Sequence, residues 1–70
     1  MIEVFKTGIQ KKPQARQVML ILSKDFPSCK FNIDLDDGDR ILRVEGPAIR
    51  AEEIIRSLNA GGYACEMLDD

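Results

Sequence analysis

The sequence has no histidine and no tryptophan, two cysteines, one tyrosine and three phenylalanines, and its longest apolar run is the five residues from Val18 to Leu22. The missing histidine removes the commonest metal ligand and the side chain best suited to proton transfer near neutral pH. Cys29 and Cys65 stand 36 positions apart with no CxxC pair, so a single chain cannot assemble the four nitrogen and sulfur ligands of a structural zinc. No segment approaches the roughly 20 apolar residues of a membrane span. The opening Met-Ile-Glu-Val-Phe-Lys has neither the charged start nor the apolar middle of a secretory signal. These absences together predict a reducing, cytoplasmic setting and two structural thiols.

Positive charge is not in excess either. Ten Lys plus Arg stand against twelve Asp plus Glu, a formal charge of -2, which argues against a chain that coats nucleic acid through a basic, counterion-releasing face. An enzyme reading finds no catalytic residues: no serine sits beside a plausible base, no glycine-rich loop suits a phosphate, and no cofactor or metal site is implied. Cys65 is followed by Glu66, whose charge raises a thiol pKa and makes a poor nucleophile. Seventy residues at 44% hydrophobic are expected to form one domain over 1–70, burying about 60% of its unfolded surface, with a net stability on the order of 5 kcal/mol.

What is present is a regular change of period. Ile2 and Val4 alternate with Glu3 and Phe5 up to Thr7-Gly8, a strand ending in a turn. From Pro13, Ala15, Val18, Met19, Leu22 and Phe26 follow helical spacing, and Phe26-Pro27 stops the helix. Cys29, Phe31, Ile33 and Leu35 alternate as a second strand. Asp37-Gly38 predicts a hairpin into a return strand from Arg40 to Glu45. A second helix places Ala51, Ile54, Ile55 and Leu58 on one face and stops at Gly61-Gly62 through a left-handed cap. Tyr63 to Leu68 forms a last strand, with Asp69-Asp70 frayed. The order strand, helix, strand, strand, helix, strand predicts an α+β, ferredoxin-like βαββαβ sandwich. Its antiparallel sheet has strand order 4-1-3-2, and both helices lie on one face. Lys30 and the aspartates of the hairpin blunt one exposed sheet edge.

Across nearly its whole length the chain resembles the heavy-metal-associated domain. The resemblance rests on the loop Gly8-Ile9-Gln10-Lys11-Lys12-Pro13-Gln14, on Val18 and Leu22 in the helix, on Ile33-Asp34-Leu35, and on Gly62-Tyr63. That family carries Gly-Met-Thr-Cys-x-x-Cys in the loop, and here Lys11 and Gln14 stand at the two cysteine positions. An ammonium has no lone pair and an amide is a hard donor, so neither replaces a thiolate for a soft ion. The resemblance therefore implies a degenerate heavy-metal-associated domain without metal transport at this loop.

Two charge clusters remain. Asp34, Asp36, Asp37 and Asp39 sit in the hairpin with Gly38 at the fifth position rather than the sixth, which fits a solvated turn and not a calcium loop. Lys6, Lys11, Lys12 and Arg16 gather toward the first helix start, where free N–H groups already carry partial positive charge. Cations there oppose the helix dipole. With Tyr63 as a flat contact, Lys11, Lys12 and Arg16 make a candidate binding site for an acidic protein partner or a small anion. The expected function is a non-catalytic binding or protein-interaction module, with no nucleic acid or membrane partner. Two alternatives share the topology. In one, Cys29 or Cys65 handles metal together with ligands from a second chain; in the other, the fold is a small-molecule regulatory domain like the ACT modules.

Overall fold

In a computed structural model of the chain, residues 1–36, 38 and 40–68 are described. Asp37 and Asp39, half of the aspartate cluster, lie outside the described residues, as do Asp69 and Asp70. The elements run β1 (Ile2–Thr7), α1 (Lys12–Asp25), β2 (Lys30–Asp34), β3 (Ile41–Glu45), α2 (Ala51–Ala60) and β4 (Cys65–Met67). The four strands form one antiparallel sheet in the order β2-β3-β1-β4. This is the expected 4-1-3-2 arrangement read from its other edge, a ferredoxin-like fold.

Both faces of β1 carry apolar residues, so alternation by itself does not say which face is buried. Pairing does. Phe5 lies opposite Leu42 and Glu3 opposite Val44, and Phe5, Leu42 and Val44 have no exposed surface. Ile2, Val4 and Lys6 therefore face away from the helices, and Ile2 is 50% exposed. Val18 and Leu22 from α1 and Ile54 and Leu58 from α2 close the core from above. Met19 and Phe31, expected on apolar faces, are only half-buried, and Met67 is exposed on the three-residue edge strand β4. At the rim of a two-layer sandwich, an apolar side chain has an element on one flank only.

Ile9 is the buried residue that periodicity does not reveal, because it sits in the loop between β1 and α1 and still has no exposed surface. Thr7 holds that loop in place. Its hydroxyl donates to the Arg40 carbonyl at 2.7 Å and accepts the Ile9 N–H at 3.3 Å, so the one buried polar side chain among the described residues is satisfied in both senses. β2 and β3 pair as the expected hairpin, and the Asp37-Gly38 turn expected at its tip includes Asp37, which lies outside the described residues. Arg40, expected within the return strand, has φ 52°, in the left-handed region. Its carbonyl is thereby aimed at both Thr7 N and Thr7 Oγ1 while its guanidinium donates to the Leu35 carbonyl at 2.6 Å, and β3 begins one residue later. At the end of α2 the left-handed residue is Gly62, φ 91°, not Gly61, φ -83°. That geometry lets Tyr63 N–H donate back to the Leu58 carbonyl at 2.9 Å.

Candidate functional site

Lys11 is the residue that precedes the first turn of α1, with extended φ -126° and ψ 153°. A lysine side chain has no acceptor and so cannot cap the free N–H groups beyond it. Gln14 supplies half of a capping box instead: its carboxamide oxygen accepts the N–H of Gln10 at 3.0 Å and of Lys11 at 3.1 Å. Pro13 falls in the first turn, where a missing N–H costs nothing. No acidic residue stands in this turn, whereas α2 begins with Glu52 and Glu53 at its positive end. The start of α1 is thus tied by an internal amide while Lys11 and Lys12 are exposed to solvent beside it.

From this end a shallow groove runs between α1 and the edge strand β2. Lys12 and Arg16 line its helical side and Met19, Phe31 and Ile33 its apolar floor; Asp34 and Asp36 line its strand side at the same end as Lys12, because β2 runs antiparallel to α1. The first turns of α1 therefore bring Lys11, Lys12 and Arg16 onto one end of the helix. The other two residues grouped with them lie elsewhere. Lys6 is on the outward face of β1, opposite Ile41 and Glu66, so it turns away from the helix layer. Tyr63 packs against the core with its ring beside Gly61, and it does not line the groove. The groove floor is what the sequence reading missed. Met19 and Phe31 have core spacing, and the signal that they are half-covered is topological: β2 is an edge strand.

The acidic strand side is organised locally, since Asp34 Oδ1 accepts the N–H of Asp36 at 3.0 Å, an Asx turn. Among the described residues no three His, Cys, Asp or Glu side chains come together as a metal cluster. The two thiols are free and stand at opposite sheet edges, Cys29 just before β2 and Cys65 on β4. The Cys29 thiol points at the Ala48 carbonyl, 4.0 Å away.

Burial first, and then the neighbouring Glu66 carboxylate, push the Cys65 thiol from 9.0 up to about 11. At pH 8 that shift lowers the thiolate population about 100-fold, and the greater nucleophilicity of a more basic thiolate gives back about tenfold. In a Cys29→Ser variant, Cys65 is therefore expected to react with a small aromatic disulfide about tenfold more slowly in the folded protein than in urea. Equal rates by absorbance would place the thiol in open solvent.

Among the described residues no helix is long and apolar enough to cross a membrane. The chain matches no protein-family model, no curated protein and no solved structure.

Proposed function

We propose that this ferredoxin-like domain is a non-catalytic protein-interaction module, similar to a heavy-metal-associated domain whose thiolate pair is gone. In this reading it engages an acidic protein surface in the cytoplasm through Lys11, Lys12 and Arg16. The observation that carries the proposal is the basic end of α1: three exposed cations at the start of a helix whose own first turn has no acidic residue. An acidic protein suits this end better than a small anion. Of the N–H groups at the helix start, that of Lys11 already donates to Gln14 and Pro13 has none, whereas a protein carboxylate can meet the lysine and arginine heads without them.

A fluorescent glutamate-rich peptide is the probe. The parent is expected to bind it with an affinity that falls as salt rises, and Lys12→Glu with Arg16→Glu is expected to weaken binding about tenfold or more. Inorganic phosphate is expected not to compete at equal ionic strength. A parent that does not bind the peptide, or a doubly substituted chain that binds it equally well, would remove the proposal.

A further inference from the structure

β2 is an edge strand with a palindromic charge pattern, Lys30-Phe31-Asn32-Ile33-Asp34. Laid antiparallel on a second copy of itself with Asn32 opposite Asn32, it sets Lys30 of each chain opposite Asp34 of the other and Phe31 opposite Ile33. All five strand residues are paired. Lys30 and Asp34 are on the outward face of the sheet, and Phe31 and Ile33 are on the face that meets the helices. The two kinds of pair therefore segregate to opposite faces, as a continuous sheet requires. Slipping the register until Lys30 meets Lys30, or Asp34 meets Asp34, sets like charges opposite each other. The charges that blunt this edge against foreign strands are the ones that select its own copy.

The helix layer agrees. Met19 lies on the flank of α1 toward β2, and Leu20, the next residue round the helix, is 69% exposed on an otherwise polar helix surface. One helix covers about two strand spacings of roughly 4.8 Å, so two α1 helices related by the same two-fold lie about 10 Å apart, the distance at which helices pack. Half-buried Met19, Phe31 and Ile33 would then gain cover from the second copy.

We infer that the exposed edge of β2 is a self-association surface, through which two copies of this chain join into one eight-stranded antiparallel sheet about a two-fold axis at Asn32. The inference goes beyond the proposed function and is independent of it. Lys12 sits about 11 Å and Arg16 about 5 Å along the helix from the axis region near Met19 and Leu20, so Lys11 and Lys12 lie toward the two extremities of the dimer and Arg16 nearer its seam. The pairing does not require Asp34 to release Asp36, because a carboxylate accepts several hydrogen bonds.

Sedimentation equilibrium up to about 1 mM, so that even a millimolar dissociation constant is seen, is expected to show a weight-average mass that rises with concentration above that of one chain toward twice it. Lys30→Asp places aspartates face to face and is expected to raise the dissociation constant about tenfold or more. Asp34→Lys does the same with lysines. Mixing the two variants restores pairing, since the carboxylate introduced on one chain then meets the ammonium introduced on the other. Asp34→Lys also loses the turn bond to Asp36. Leu20→Glu, at an exposed position, is therefore a second probe that weakens the dimer while leaving the circular dichroism melt of the dilute monomer unchanged. A parent that stays monomeric throughout, a Lys30→Asp variant that pairs as the parent does, or a mixture of two folded charge variants that fails to pair would each overturn the inference.

Discussion

Phe5→Ala is expected to leave the protein largely unfolded at 25 °C. Phe5 has no exposed surface and sits on β1, one of the two interior strands, between Leu42 on β3 and Met67 on β4. Truncating a buried phenylalanine costs about 3–5 kcal/mol, the lost transfer energy plus the cavity left behind. A 70-residue domain has on the order of 5 kcal/mol to lose. Urea titration followed by circular dichroism should therefore show little or no native baseline. Ile2→Ala on the same strand, at a half-exposed outward position, should lower the stability by less than about 1 kcal/mol. The contrast tests the register, because a one-residue slip of β1 exchanges its faces. If Ile2→Ala unfolds the chain and Phe5→Ala does not, the slip is what has happened.

The difference between those two residues also marks where sequence reading stops. Element order and the helix boundaries follow from changes of period and from Pro27 and Gly61-Gly62. All of that is local information, written within a few residues of where it acts. Which side of β1 is buried is not local, since Ile2 with Val4 and Phe5 compete as apolar faces until β3 pairs and brings Leu42 and Val44 to the same side as Phe5. Ile9 is hidden for a related reason. A loop has no period, and its burial depends on Thr7 bridging Arg40 and the Ile9 N–H. The candidate site divides the same way. The basic end of α1 is legible because Lys11, Lys12 and Arg16 are near neighbours in the chain. The groove is not, because its floor joins Met19 to Phe31 and Ile33 across two elements. Lys6 looked like a fourth member by proximity in sequence, and strand alternation sends it to the other face.

A chain with Lys11→Cys and Gln14→Cys, in a background where Cys29 and Cys65 are serine, is expected to bind one Cu(I) per molecule, and the same background without the new cysteines none. Lys11 precedes the first turn of α1 and Gln14 is its third residue, so the two positions are one turn apart on the end of a helix whose free N–H groups favour thiolates. Soft Cu(I) takes two such sulfurs and refuses an ammonium and an amide. The substitutions remove the bonds that Gln14 accepts from Gln10 and Lys11, a capping loss of about 0.5–2 kcal/mol that a domain with on the order of 5 kcal/mol in hand survives. They also remove one of the cations that oppose the helix dipole, which returns part of that loss. Competition against a coloured Cu(I) chelator under anaerobic conditions reads the affinity, and the single variants should compete far less well than the pair. If the pair binds no better than either single variant while remaining folded, the loop from Gly8 to Gln14 does not have the geometry of a metal loop that lost its sulfur. The proposed likeness to heavy-metal-associated domains would then go no further than the order of strands and helices.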